Sequence, residues 1–250
     1  MTLDGKHALV TGGGTGIGLA IARALAGEGA IVTITGRRQE VLDQVATDRI
    51  TGMAMDVRDE ESVAKGIATV AEARGPIQIC VANAGIAVGK TLQKTDMSFW
   101  RDIMATNLDG AFLTIRESLR SMLETDWGRV ISVASIAGLR GTPGAGAYAA
   151  SKHGLIGLTR SYSEEFLSSS YTFNALCPGY VDTPIVERNI TSISQRAGLS
   201  QDDALKVMTD QNRHKRLILP EEVAAAALWL VRPGSQSING QCIEIAGGQT

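Results

Sequence analysis

The stretch His7-Ala8-Leu9-Val10-Thr11-Gly12-Gly13-Gly14-Thr15-Gly16-Ile17-Gly18 decides how the rest of the chain reads. Its first five residues form a short apolar run that predicts a buried strand. The run Leu19-Ala20-Ile21-Ala22-Arg23-Ala24-Leu25-Ala26 behind the glycines predicts a helix that stops near Gly27 and Gly29. Glycines between a strand and a helix let a phosphate approach the backbone N–H groups at the helix start, where the helix dipole favours negative charge. The spacing Gly12-x-x-x-Gly16-x-Gly18 departs from the G-x-G-x-x-G register, so the turn suits a dinucleotide's pyrophosphate without matching the standard fingerprint.

Outward from this turn, strands and helices alternate. Strands are predicted at Ala30–Thr35, Ile50–Met55, Ile77–Ala82, Arg129–Val133, Thr172–Cys177 and Cys242–Ile245. Helices are predicted around Glu40–Ala46, Glu61–Ala73, Ser98–Leu123, Tyr148–Leu167 and Pro220–Val231. The β-branched run Ile31–Thr35 fits a strand buried on both faces. Such alternation requires right-handed crossovers and gives an α/β fold, a doubly wound parallel sheet of Rossmann type in a single domain over 1–250. The stretch 183–219 breaks the pattern: polar, irregular and too long for an ordinary connection, it reads as a lid that orders on ligand binding.

Composition narrows the function. The 250 residues are 44% hydrophobic and 20% charged, with a net charge of −2, so nothing marks a nucleic-acid or anionic-membrane surface. Mean hydropathy is +0.05 and no apolar run approaches the length of a spanning helix. The start Met1-Thr2-Leu3-Asp4-Gly5-Lys6 does not resemble a secretory signal. Cys80, Cys177 and Cys242 have no metal-type spacing; they read as core fillers in a cytoplasmic protein, and no metal site is expected. The 28 glycines against 4% aromatics suggest close backbone packing.

Two further places carry chemistry. After the second strand, where an acidic residue would hold a ribose 2′-hydroxyl, the sequence reads Thr35-Gly36-Arg37-Arg38. Two guanidiniums there favour a 2′-phosphate and hence NADP(H) over NAD(H), although Thr15 supplies no second cation on the turn. Farther on, Tyr148-Ala149-Ala150-Ser151-Lys152 puts a phenol and an ammonium on one helix face. A nearby positive charge favours the phenolate, which would let the tyrosine exchange protons closer to neutral pH. Ser135, just past the strand ending at Val133, is placed to hydrogen-bond both a substrate oxygen and the tyrosine. Asn107 stands within an apolar helix, where an amide needs a partner.

The motifs Thr11–Gly18, Asp56-Val57, Asn83-Ala84-Gly85, Asn107, Ser135, Tyr148 with Lys152, Pro178-Gly179 and Thr183 together resemble the short-chain dehydrogenase/reductase family over essentially the whole chain. The resemblance implies that Tyr148 is the general acid/base, that Ser135 orients the carbonyl, and that Lys152 holds the nicotinamide ribose and lowers the tyrosine pKa. It also implies that Asn107 keeps a water linking Lys152 to solvent. By the same resemblance the cofactor would lie on Gly12, Thr15, Gly16, Ile17 and Gly18, with Asp56 and Val57 flanking adenine and Asn83 and Gly85 lining the ribose. Pro178, Gly179, Val181 and Thr183 would meet the nicotinamide end. An Arg at position 37 goes with NADP preference in the family, and the partner-burying helices of similar members imply a homo-oligomer, commonly a tetramer.

The stretch Pro178–Ile190 resembles the lid of 3-hydroxybutyrate dehydrogenases, yet Ala87, Ala137 and Ala145 stand where those enzymes place carboxylate anchors. With Val88, Ile136, Leu139, Tyr180 and the lid from Ile185 onward, the expected pocket is mostly small and apolar. The substrate expected is therefore an uncharged or bulky ketone, or a 3-oxoacyl compound, and its alcohol, rather than acetoacetate. The run Arg213-His214-Lys215-Arg216 reads as a solvated loop, with binding of a coenzyme A or carrier phosphate as its alternative. Two other functions stay open at this point: an NAD-dependent secondary-alcohol dehydrogenase, and a non-catalytic nucleotide sensor.

Overall fold

The computed structural model describes residues 2–210 and 212–248. Strand β1 (His7–Thr11) leads into helix α1 (Gly16–Gly27), then β2 (Ile31–Gly36), α2 (Gln39–Asp43), β3 (Ile50–Ala54), α3 (Glu60–Arg74) and β4 (Ile77–Ala82). The second half runs α4 (Met97–Met104), α5 (Gly110–Met122), β5 (Gly128–Val133), α6 (Gly146–Glu165), β6 (Tyr171–Pro178), α7 (Pro184–Ala197), α8 (Gln201–Thr209), α9 (Pro220–Val231) and β7 (Cys242–Ile245). All strand pairings are parallel, in the order β3-β2-β1-β4-β5-β6-β7. The expected doubly wound sheet is what the chain forms.

Alternating side chains divide the sheet between two apolar layers, because successive residues of a strand point to opposite faces. Ala8, Val10, Ile79, Val81, Ile131, Val133 and Leu176 pack against α1 and α9. Leu9, Cys80, Ala82, Val130, Phe173, Ala175 and Cys177 pack against α3, α5 and α6. Cys80 and Cys177 are thus core fillers, and burial pushes each thiol up to about 12; Cys242 is half-buried.

Chain direction reverses its progress across the sheet between β1 and β4, and the crevice at such a switch point is where open α/β sheets bind ligands. The carboxyl ends of β1, β4, β5 and β6 deliver Gly12, Asn83, Ser135 and Pro178 to that edge. Position in the topology, before any side chain is considered, therefore gathers the expected site.

Two elements differ from the sequence reading. The long helix expected over Ser98–Leu123 is interrupted at Ala105–Asp109 by a turn of π-helix, with α4 before it and α5 after it. The expected irregular lid contains α7 and α8. Its neck is closed by a bridge between Val181 and Ile218, with Ile218 N–H donating to the Tyr180 carbonyl at 2.9 Å and Asp182 N–H to the Ile218 carbonyl at 2.8 Å. Val186, Ala204 and Met208 bury the inner sides of the lid helices. Among the described residues, no helix is long and apolar enough to cross a membrane.

Candidate active site

The turn after β1 is built by steric exclusion. Gly12 adopts φ +64°, and a Cβ there would lie 3.0 Å from Asn83 Nδ2. A Cβ on Gly18 would come within 2.4 Å of the Gly12 carbonyl oxygen, so the first turn of α1 sits directly on the end of β1 because position 18 has no side chain. Thr15 precedes α1 in extended conformation without a side-chain cap, and the helix has no acidic residue in its first turn. Its leading N–H groups therefore face outward as donors. Asn83 locks the turn from the side, its Nδ2 donating to the Thr11 carbonyl at 2.8 Å. The Thr11 hydroxyl accepts from Asn83 N–H at 3.0 Å and Ala84 N–H at 3.1 Å.

Beside this turn lies a cavity of about 320 Å³ whose wall includes Gly12, Thr15, Arg37, Arg38, Asp56 and Val57, with Gly85 toward its inner end. Arg37 and Arg38 are exposed, and neither forms an ion pair among the described residues. The buried Thr35 hydroxyl, at the same wall, has no hydrogen-bond partner among the described residues.

The reaction centre is assembled from β5, α6 and the π turn. Ser135 follows β5 in extended conformation; its Oγ accepts from Ala137 N–H at 3.1 Å and lies 3.5 Å from the Pro178 carbonyl oxygen. Tyr148 and Lys152 rise from α6, four residues apart on one face, with the ammonium 5.8 Å from the centre of the phenol ring. Lys152 is buried and its Nζ donates to the Val133 carbonyl at 2.8 Å. Asn107 is fully buried: its Oδ1 accepts from Ile86 N–H at 2.8 Å, and its Nδ2 donates to the Ile86 carbonyl at 3.0 Å and to Ser151 Oγ at 3.1 Å. Gly85 separates these groups; a Cβ there would lie 3.2 Å from Asn107 Oδ1 and 3.6 Å from Lys152 Nζ.

Electrostatics corrects one expectation. Among the protein's own groups, the ammonium is not what sets the phenol: burial pushes Tyr148 above the usual tyrosine value, and a hydrogen bond with Ser135 pulls it back. Burial instead lowers Lys152 to about 8, since a charged ammonium loses its water and gains a single carbonyl partner. Phenol and ammonium are neighbours as expected, but Ser135 is the group that favours the phenolate.

Residues 6–193 match the family described as short chain dehydrogenase. The chain belongs to that family. It is 35% identical to the D-beta-hydroxybutyrate dehydrogenase of Rhizobium meliloti (strain 1021), with 98% of each chain covered. It is 34% identical to a putative ketoacyl reductase of Streptomyces coelicolor, covering 99% of this chain and 98% of that one. Among solved structures, a single-substitution variant of an actinorhodin polyketide ketoreductase with NADPH superposes with a TM-score of 0.94 at 33% identity, covering 98% of this chain and 97% of that one.

In this short chain dehydrogenase the expected residues fall in two adjoining groups. Gly12, Gly14, Thr15, Arg37, Arg38, Asp56, Val57 and Gly85 line the cavity, and Asn107 and Lys152 stand against Gly85; Tyr148 shares the α6 face of Lys152 and hydrogen-bonds with Ser135. Asn83 stands against the glycine turn, its Nδ2 3.0 Å from where a Gly12 Cβ would be. Thr183 closes the cradle from the lid side, its Cγ2 lying 3.0 Å from where a Gly16 Cβ would be. Val181 is buried at the lid neck, and Gly179 N–H donates to the Ile245 carbonyl at 3.0 Å. The glycine turn, Arg37 and Arg38 without ion pairs among the described residues, and the orphaned Thr35 hydroxyl together fit a phosphate-bearing dinucleotide.

Other expectations shift. Ile136 and Ala137, expected in the substrate pocket, are buried, and Ala137 serves Ser135 through its backbone. In the basic run, Arg216 forks onto Glu222, Lys215 pairs with Asp210, and a Cβ on Gly247 would meet the His214 ring at 2.7 Å. Lys215 and Arg216 already have partners, and the loop is tied down as well as solvated. Sequence reasoning missed Ser151, which holds Asn107, and Arg58, which grips Asp56. A serine three residues after Tyr148 on the same helix was the available signal for the first.

Proposed function

We propose that this enzyme reduces a ketone or 3-oxoacyl group to the secondary alcohol with NADP(H). The observation that carries the reading is a cavity walled by the glycine turn, Arg37 and Arg38, with Asn107 and Lys152 against its Gly85 and Tyr148, hydrogen-bonded to Ser135, beside Lys152. The relatives named ketoacyl reductase and the NADPH-containing neighbour support it.

Backbone N–H groups at Gly16, Ile17 and Gly18, with Gly12 and Thr15 shaping the approach, would hold the pyrophosphate. Arg37 and Arg38 would take the 2′-phosphate, and Asp56 and Val57 would flank adenine. Asn83 and Gly85 would line the ribose, Val181 and Thr183 would meet the carboxamide, and Pro178 and Gly179 would lie at the nicotinamide end. When bound, the reduced nicotinamide supplies a hydride to the carbonyl carbon. Ser135 Oγ then donates a hydrogen bond to the substrate oxygen, fixing its orientation. The Tyr148 phenol, which burial keeps in its protonated form, gives its proton to the developing alkoxide. Lys152 would hold the neighbouring ribose hydroxyls, and the Ser135 hydrogen bond would favour the phenolate that remains. Asn107, tied to Ile86 and Ser151, keeps the proton route from Lys152 to solvent in register.

We further read the enzyme as a cytoplasmic homo-oligomer, most simply a tetramer, from its unpaired thiols and from the exposed small residues on α6, such as Gly157. Light scattering after gel filtration checks the assembly. For the reaction, NADPH and NADH consumption is followed with a panel of neutral ketones and 3-oxoacyl thioesters. Turnover with NADPH and a marked preference over NADH is expected; a large preference for NADH overturns the assignment of Arg37 and Arg38.

A further inference from the structure

The outer end of the crevice holds a charge arrangement that the reaction does not use. Its wall carries three guanidiniums, from Arg37, Arg38 and Arg58, against two carboxylates, from Asp56 and Asp102. A carboxylate at this end works against a phosphorylated ribose, because a 2′-phosphate brings negative charge into the same space. Asp56, however, does not stand as a free carboxylate. Arg58 Nη2 donates to its Oδ2 at 2.7 Å, and Nε lies 3.1 Å and 3.2 Å from Oδ1 and Oδ2. The Arg58 backbone N–H adds a third donor group, to Oδ1 at 3.0 Å. This grip, and the nearby Arg37 charge, hold the Asp56 carboxyl below the usual range.

We propose that Arg58 is a specificity-determining residue that masks the charge of Asp56, so that the field of Arg37 and Arg38 reaches an incoming 2′-phosphate undiminished. Arg58 acts through Asp56 and is a positioning residue. The geometry fits this role: a planar guanidinium matches a carboxylate two atoms at a time, which both cancels its charge and fixes its orientation. Without Arg58 the wall carries two cations and two anions, and the uncovered Asp56 carboxylate repels a 2′-phosphate more than a hydroxyl. The inference rests on the NADP(H) reading above and deepens it.

The test is a binding measurement that needs no turnover. Dissociation constants of NADPH and NADH are measured by nicotinamide fluorescence, and those of 2′,5′-ADP and 5′-AMP by calorimetry, for the wild type, Arg58→Ala, Asp56→Asn and the double variant. Arg58→Ala should lower the preference for the phosphorylated ligand of each pair by about 5–10-fold, the scale of one solvent-exposed charge a few ångströms away in a water-like dielectric. Asp56→Asn should keep or raise that preference, and the double variant should recover most of it. The Arg58→Ala effect should shrink as salt rises. Equal weakening of both ligands by Arg58→Ala, no change in either, or no recovery in the double variant would each overturn the masking role while leaving the cofactor reading intact. A wild type that binds NADH more tightly overturns the cofactor reading itself and the inference with it.

Discussion

Lys152 bears the largest cost in the site. Its ammonium is buried, and the folded protein binds that proton less tightly than the unfolded chain does, with a pKa of about 8 against 10.5. Below pH 8 the lysine is charged in both states, so the penalty of burying it is fully present. Between about 8 and 10.5 the folded state has released its proton and the unfolded state has not, so stability rises with pH. Lys152→Met removes the penalty and one hydrogen bond to Val133. Urea unfolding from pH 7 to 10 should find the variant favoured at pH 7, and the wild type should gain on it by on the order of 3 kcal/mol across that window. A difference that stays flat with pH would show that the ammonium is not buried at a cost. Retaining such a lysine makes physical sense where its charge serves the reaction, since active sites commonly sacrifice stability for function.

At the scale of elements, the π turn at Ala105–Asp109 is what aims Asn107 inward. Single π turns inside α-helices often mark functional positions, because one extra residue rotates the following side chains around the axis. Asn107→Ala would leave the N–H and carbonyl of Ile86 without their side-chain partner in a buried setting. Thermal or urea unfolding should show a loss of about 2–4 kcal/mol. An unchanged midpoint would mean that Ile86 finds other partners and that the amide does not organise the loop after β4.

This turn also marks the limit of what could be read from the chain. The apolar spacing of 98–122 continues through it, so a one-residue shift in hydrogen bonding leaves no mark on composition. The lid helices, by contrast, carried start signals: Pro184 at the first turn of α7, and Ser200 accepting from Asp203 N–H at 3.1 Å to cap α8. The stretch's polarity outweighed them in an element-by-element reading. Strands β1 and β4 were legible to the residue because a strand buried on both faces is a mostly apolar run, as Ala8–Val10 and Ile79–Ala82 are. Tyr148 and Lys152 were legible because helical spacing alone makes them neighbours. Arg58 was not, since a pair two residues apart acquires meaning when the end of β3 is set beside the glycine turn.

For the whole molecule, the cradle, the wall of the cavity and the lid neck belong to one fold, so a ligand that spans them stabilises all of it. At one hundred times its dissociation constant, NADPH should add about 2.7 kcal/mol to the unfolding free energy. For a chain of 250 residues that corresponds to a midpoint roughly 5–10 °C higher in a thermal scan, and NADH at equal concentration should give less. The exposed link around Leu199, between α7 and α8, should lose protease sensitivity when cofactor and substrate are both present. Absence of any thermal shift with either dinucleotide would mean that the crevice does not bind them. The central claim is that Tyr148 hands the proton to the substrate oxygen beside a bound nicotinamide. It is tested most directly by comparing Tyr148→Phe with the wild type in NADPH turnover and in NADPH binding on the same preparation. A fall in kcat of about 10²–10⁴-fold with a dissociation constant within a factor of about two is predicted; a phenylalanine variant that still reduces the ketone at the wild-type rate contradicts it.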